Sequence, residues 1–257
     1  IWKWVIYLKI LEFGNPRNEK MILIHGFESP YQVWEDYIKY FEKDYFIIVP
    51  ILTGHNPEIK EDFVSFESEV KELEQYYTNK FGNDVYVIYG MSMDGIVASM
   101  IWKNKNINIR KLILESSPLV SQSNFITSIL TKQYLTITEK ARQRDENVVA
   151  QAVGSMVKEK HLEIFLKLLD NMSDTTIVNY LKAVGSFKLP PNIDTPSTEI
   201  YYLHGTKMAE MYAKKTAKYI KKNYPNANII TFDGKAHCED ALINSEEHIN
   251  VLNKILR

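Results

Sequence analysis

The sequence predicts an α/β protein with a mostly parallel central sheet and helices on both faces. Three observations predict this class. Short apolar runs of the kind found in buried parallel strands alternate with amphipathic helical patterns. The strand pattern stops for one long helical block and then resumes. The residues best suited to chemistry follow strand ends, and parallel sheets bind ligands at the carboxyl ends of their strands.

The first half of the chain contains most of the strand patterns. Residues 2–13 are rich in Tyr, Trp and Ile and predict one or two edge strands that end at a Gly-Asn-Pro turn. Residues 21–25 (MILIH) and 45–50 (YFIIVP) are continuous apolar runs, as expected for strands buried on both faces. Further strands are expected at 86–89 and 111–115, and helices at 31–42, 63–81 and 96–103.

The second half begins with the helical block, where residues 121–189 predict four or five short amphipathic helices. We expect a cap over the carboxyl edge of the sheet, because the sheet pattern resumes directly afterwards; a separate helical domain is the alternative. The predicted organisation is a core of residues 1–120 and 191–257, with a helical cap at 121–190 inserted after the strand that ends near Glu115. The core is completed by strands at 199–204 and 228–232 and by helices at 208–223 and 241–256.

The bulk composition excludes several classes of function. The 257 residues include 31 basic and 32 acidic side chains, for a net charge of −1. No basic field or polybasic cluster is present, so neither nucleic acid nor membrane is an expected partner. The single cysteine, Cys238, excludes an internal disulfide and is typical of a reducing compartment. Because Lys3 and Lys9 interrupt the apolar N-terminus, we expect a cytoplasmic protein, monomeric or homodimeric.

The stretch from Val85 to Gly95 (VYVIYGMSMDG) is the most informative part of the sequence. Four β-formers run into Gly90, Ser92 follows in a tight turn, and a helical pattern begins after the last glycine. The apical residue of such a turn adopts a strained backbone conformation, and small neighbours make room for it. Its hydroxyl would stand clear of the sheet, beside the free N–H groups of the new helix. The pattern indicates a nucleophilic serine, although a strand-to-helix turn without chemistry has a similar signature.

This stretch resembles the nucleophile elbow of the α/β-hydrolases, G-x-S-x-G, with Asp94 in place of the second glycine. The resemblance covers nearly all of the chain. A His-Gly loop at 25–26, a Gly-His loop at 54–55, the elbow, a helical cap and a late loop ending in His237 occur in the order typical of the family. The resemblance therefore implies an α/β-hydrolase fold.

The same resemblance implies roles for individual residues. Ser92 would be the nucleophile, and because a serine hydroxyl is protonated at neutral pH it needs an adjacent base. His237, after the last strand, occupies the position of the catalytic histidine of the family. The backbone N–H groups of Phe27 and Met93 would form the oxyanion hole.

The acid that orients the histidine is harder to predict. The family usually places it shortly after the strand that ends at His204, where this chain has Met208. The nearest carboxylate is Glu210, two residues further on. An alternative family arrangement uses the end of the strand after the elbow helix, which matches Glu115. We favour Glu115 slightly, because its strand end faces the expected edge, and keep Glu210 as the alternative.

Other kinds of site have no support in the sequence. There is no His-Glu-x-x-His motif, no cysteine pair and no Gly-x-Gly-x-x-Gly after a strand, so we expect neither a metal nor a cofactor. His161 and His248 fall in helical patterns and are expected at the solvated surface. His25 and His55 belong to loops that, by resemblance, shape the site without transferring protons.

The sequence thus predicts a serine hydrolase that acts on a small or medium ester, thioester or related acyl substrate through an acyl-enzyme. The substrate would be a small molecule. The rival interpretation is a catalytically weakened or inactive member of the same fold that binds a small molecule or a partner. Two departures from the family pattern, Asp94 in the elbow and Met208 at the usual acid position, support that rival.

Overall fold

The computed structural model of the protein describes residues 8–195 and 197–257. A predicted strand at 2–13 is observed from Lys9 onwards, and its first residues, 2–7, lie outside the described part. The strands are β1 (Lys9–Phe13), β2 (Glu19–Ile24), β3 (Tyr45–Ile51), β4 (Asp84–Met91), β5 (Asn108–Glu115), β6 (Glu199–Gly205) and β7 (Asn228–Phe232).

These seven strands form one sheet in the order β1-β3-β2-β4-β5-β6-β7. The edge strand β1 pairs antiparallel with β3, and every other pair in the sheet is parallel. The predicted fold class, a mostly parallel sheet with helices, is confirmed. Since all parallel strands point the same way, the loops that follow them meet at a single edge.

The helices occupy the connections between strands. Several begin at a Ser or Asp whose side chain accepts a hydrogen bond from a free N–H of the first turn, as at Ser65, Ser123, Asp145 and Ser173. The helices are α1 (Glu35–Phe41), α2 (Phe66–Phe81), α3 (Gly95–Asn104), α4 (Asn124–Arg142), α5 (Glu146–Ser155), α6 (Leu162–Asn171), α7 (Asp174–Ser186), α8 (Met211–Asn223), α9 (Glu239–Leu242) and α10 (Ser245–Leu256).

Alternate residues of the central strands enter two separate apolar cores. On β2, Ile22 and Ile24 pack into one core, whereas Met21 and Leu23 pack into the other, and all four are at most 2% exposed. Side chains of a strand point alternately to its two faces, so both faces of this sheet must be covered by helices. Each such buried side chain contributes about 1.5–3 kcal/mol relative to exposure.

Two glycines allow α3 to cross very close to β4. A Cβ atom at Gly95 would lie 1.8 Å from Ser117 Oγ, and one at Gly90 would lie 2.7 Å from the Gly95 Cα. Neither position can accept a side chain without a shift of the backbone. The glycines that flank the predicted elbow are therefore required by packing between the strand and the helix.

Between β5 and β6 the chain forms the four helices α4 to α7, which we call the helical insertion (residues 124–186). It packs on the loops at the carboxyl edge: Tyr180 stacks on Phe27 with ring centroids 4.2 Å apart, and Thr138 hydrogen-bonds Glu28. That this insertion acts as a cap stays a prediction. None of the helices in the described ranges is long and apolar enough to span a membrane.

Candidate active site

Ser92 lies at the apex of a sharp turn between β4 and α3. Its φ of 53° is in the left-handed region, which non-glycine residues seldom adopt and which costs about 1–3 kcal/mol. A single turn of 3₁₀ helix, Ser92–Asp94, then leads into α3. Strain of this kind at a solvent-facing hydroxyl is the local geometry expected of a nucleophile elbow.

His237 comes from the loop after β7 and reaches the serine. The distance between Ser92 Oγ and His237 Nε2 is 2.8 Å. The loop is anchored to its neighbour after β6, because the N–H groups of Thr206 and Lys207 both donate to Lys235 O at 3.0 Å. The imidazole is 43% exposed, so one side of it is open to a bound molecule.

Glu210 is the carboxylate that meets the histidine. Its Oε1 lies 2.7 Å from His237 Nδ1, and its Oε2 accepts a hydrogen bond from Ser116 Oγ at 2.8 Å. Burial alone would raise the pKa of Glu210, but hydrogen bonds from His237 and Ser116 lower it below its usual value. An ionised Glu210 places the proton of the imidazole on Nδ1, so Nε2 is free to accept the hydrogen bond of Ser92.

The contact with Glu210 also changes the pKa of His237. Partial burial disfavours the imidazolium, but the hydrogen-bonded Glu210 carboxylate outweighs this effect, and the pKa of His237 lies above its usual value. The role of Ser116 in holding Glu210 was not predicted. A serine directly after a strand end, in the sequence LILESS, is the one signal that could have suggested it.

The preference for Glu115 as the orienting acid was wrong. Its carboxylate is buried, and its Oε2 accepts hydrogen bonds from Tyr89 Oη at 2.5 Å and from His248 Nε2 at 2.7 Å. Glu210 reaches His237 because a 3₁₀ turn, Met208–Glu210, folds it back toward the site. Met208 occupies the usual acid position in sequence but is 89% exposed.

The expectation that His248 lies at the solvated surface was also wrong. It is fully buried, and its Nδ1 lies 2.9 Å from Tyr37 Oη, which itself donates to Ala241 O. The polar cluster Glu115, Tyr89, His248 and Tyr37 therefore ties β4 and β5 to α1, α9 and α10.

We expect Glu115→Ala to destabilise the protein by about 3–5 kcal/mol, since it leaves buried His248 and Tyr89 without their shared partner. Urea denaturation monitored by circular dichroism measures the change. The matched control is Glu42→Ala, an exposed glutamate at the end of α1, which should stay within about 0.5 kcal/mol of the parent. Equal stability of the two variants would contradict a structural role for Glu115.

Two cavities meet at Ser92 and His237. The first, of about 400 Å³, is bordered by α4, α7 and the start of α8, and we call it the apolar chamber. The second, of about 540 Å³, is bordered by the loop after β2, α5 and the His237 loop, and we call it the second chamber. Met93 lines the apolar chamber and Phe27 the second chamber, so both residues of the predicted oxyanion hole line cavities that reach Ser92.

Comparison with known proteins agrees with this architecture. No protein-family model matches the chain. A pimeloyl-[acyl-carrier protein] methyl ester esterase of Legionella pneumophila (strain Corby) is 23% identical over 224 residues, 84% of this chain and 87% of the relative. A solved structure described as an α/β-hydrolase family protein, from Desulfitobacterium hafniense, has a TM-score of 0.76 at 19% identity and covers 97% of this chain and 100% of its own. This chain has the α/β-hydrolase fold.

A second solved structure, from work on carboxylesterases of Nitrososphaera gargenis, has a TM-score of 0.75 at 15% identity, with 97% of this chain and 93% of its own covered. The resemblance inferred from the sequence is thus confirmed at the level of the α/β-hydrolase fold. The comparisons also support a hydrolase.

Within the α/β-hydrolase fold, Asp94 is the clearest departure. It precedes α3 but makes no capping hydrogen bond, and its side chain is fully buried, 3.6 Å from His25 Nδ1. His25, His55 and Asp94 have polar atoms within 4.8 Å of one another, as a metal site requires. However, the Nε2 atom of His25 already accepts the N–H of Leu52, and the Nε2 atom of His55 accepts the N–H of Glu28. Because both Nε2 atoms are occupied as hydrogen-bond acceptors, the cluster has too few free ligand atoms to bind a metal ion.

Proposed function

We propose that the protein is a serine hydrolase that cleaves carboxylic esters with an apolar acyl group. The observation that carries the proposal is the chain of two hydrogen bonds from Ser92 through His237 to Glu210, 2.8 and 2.7 Å long. A serine, a histidine and a carboxylate in this order form the arrangement that activates a hydroxyl for acyl transfer. The ester hydrolases among the similar proteins support the same reaction class.

In the proposed mechanism, Ser92 Oγ attacks the ester carbonyl while His237 Nε2 takes its proton. Glu210 holds the imidazole in place and stabilises the imidazolium. The negative charge on the carbonyl oxygen would be bound by the N–H groups of Phe27 and Met93, each of which is worth about 3 kcal/mol in such sites. The imidazolium then protonates the leaving alcohol, and water activated by the same histidine hydrolyses the acyl-enzyme.

The apolar chamber supports an apolar acyl group. Its wall is largely aliphatic or aromatic, and it opens directly onto Ser92 and Met93. Buried apolar surface favours an acyl chain by about 0.8 kcal/mol per methylene. Side chains that form this wall include Leu130, Tyr134, Ile137, Leu181, Val184 and Tyr212.

The proposal is tested with p-nitrophenyl esters of increasing acyl length. We expect kcat/KM to rise by about fourfold per methylene until the chamber is full, since 0.8 kcal/mol per group corresponds to that factor. Leu130→Trp should fill the chamber and lower kcat/KM for the octanoyl ester at least about tenfold while sparing the acetyl ester.

The matched control is Ile129→Trp, on the same helix but 46% exposed and outside the chamber wall. This variant should change kcat/KM for neither the octanoyl nor the acetyl ester by more than about twofold. Absence of ester turnover at every chain length, or equal effects of the two tryptophans, would contradict the proposed substrate class.

A further inference from the structure

Asp94 is an uncompensated acid beside the proposed oxyanion site. The carboxyl group is fully buried, and neither oxygen has a hydrogen-bond partner among the described residues. It follows Met93 directly, and 3.6 Å away it faces His25, the first residue of the loop that contains Phe27. The side chain therefore lies between the two segments that would supply the oxyanion donors.

The nearby histidines cannot neutralise this acid. His25 Nε2 accepts the N–H of Leu52 at 3.3 Å, and His55 Nε2 accepts the N–H of Glu28 at 3.1 Å. A backbone N–H is always a donor, so both Nε2 atoms act as acceptors, and neither ring donates a hydrogen bond to the Asp94 carboxyl in the described structure. Burial, with the neighbouring His25 ring, also holds the pKa of His55 well below its usual value.

The other ionisable groups around Asp94 are acids. Glu69 approaches from α2, where its carboxylate accepts the N–H of Thr53, and Glu28 lies across His55 with its carboxyl on Thr138. Burial raises the pKa of both carboxyls to about 7, against the opposing hydrogen bonds. No element packed on Asp94 within the described ranges contributes a Lys or Arg to it.

We propose that Asp94 is a positioning residue whose protonation state sets the activity of the elbow: the neutral acid permits turnover, and the carboxylate opposes it. This inference rests on the proposed function. A carboxylate here would place a negative charge one residue from the Met93 N–H, where the transition state develops negative charge of its own. Both charges would lie in a buried region, where like charges repel strongly.

The proposal also predicts a conflict with the general base. Burial raises the pKa of Asp94 to about 6, although contact with His25 opposes the shift. His237 must lose its proton to act, and its pKa lies well above the usual value. At a pH where His237 is an active base, most Asp94 is therefore ionised. The fraction of enzyme with both groups in the productive state is small at every pH, so the parent protein should be a slow hydrolase.

The test compares pH profiles of kcat for the parent, Asp94→Asn and Asp94→Gly. We expect both variants to exceed the parent by about 10- to 100-fold at pH 8, because they lack the charge, and by much less at pH 5. Glu74→Gln is the matched control, a buried carboxyl on α2 that accepts hydrogen bonds from Asn104 and Asn106 outside the Asp94 cluster, and should leave the difference between pH 5 and pH 8 within about threefold of the parent. If Asp94 only filled space, each substitution would change kcat by the same factor at every pH.

Fluorophosphonate labelling of Ser92 at both pH values separates the two proposals. Labelling of the parent and both variants with unchanged pH profiles would overturn the role of Asp94 and leave the hydrolase standing. No labelling of any of the folded proteins would overturn both. The glycine variant covers the case in which the asparagine amide is poorly accommodated, since glycine is the usual residue of the family pattern.

Discussion

Ser92→Ala should lower kcat for p-nitrophenyl esters by about 10⁵- to 10⁶-fold, the loss typical of removing the nucleophile of a serine triad. The physical reason is that alanine has no oxygen to form the acyl-enzyme, whereas the histidine and the oxyanion donors remain. Steady-state kinetics with the longest ester that fits the apolar chamber measures the effect. Intact mass after fluorophosphonate treatment should show one adduct on the parent and none on the variant.

The control for this variant is Ser99→Ala in α3. Ser99 is buried, and its hydroxyl donates to Ile96 O within its own helix, away from the site. Its loss should cost about 1 kcal/mol of stability and leave kcat within about twofold. Full activity of Ser92→Ala, or an adduct mapped to another serine, would show that the elbow is not the nucleophile.

Glu210→Gln should lower kcat by about 10³- to 10⁴-fold, because the amide no longer holds His237 in the tautomer that accepts a proton from Ser92. The carboxylate also stabilises the imidazolium. Its removal should therefore shift the acid limb of the pH profile to lower pH. This shift is a readout that a purely structural change would not produce, and it is measured from kcat/KM between pH 4 and pH 9.

Glu115→Gln is the matched variant for the second candidate acid. Its carboxylate contacts Tyr89 and His248 and not His237, so folded protein should retain kcat within about fivefold and keep the acid limb of the parent. The reverse order, with Glu115→Gln far less active than Glu210→Gln, would contradict the placement of the acid on Glu210.

The two carboxylates show why the acid could not be chosen from the sequence. Glu115 ends β5 and Glu210 follows β6, and both strands end at the same edge, so the order of elements allows either. Which one reaches the imidazole depends on the path of the loop, here set by the 3₁₀ turn at Met208–Glu210 and by the bonds of Thr206 and Lys207 to Lys235 O. The bonds to Lys235 O join residues far apart in sequence and have no local signature.

The same limit applies to His248 and Asp94. In α10, His248 lies next to exposed glutamates in sequence, yet it is fully buried, and Glu115 and Tyr37 from two distant elements hydrogen-bond its two ring nitrogens. At Asp94 the sequence showed only a departure from the elbow pattern. The structure places that carboxylate in a fully buried site, 3.6 Å from His25 Nδ1.

By itself the sequence determined the order of strands and helices, the parallel sheet, the strained serine at the elbow and the histidine after the last strand. These features depend on local preferences: apolar periodicity, turn-forming glycines and the fixed direction of parallel connections. Only the tertiary structure decided which carboxylate completes the Ser92–His237 pair, which histidines are buried, and that Asp94 is buried against His25. Those outcomes depend on where side chains far apart in sequence come within hydrogen-bonding distance, and side-chain contacts of that kind are settled by packing.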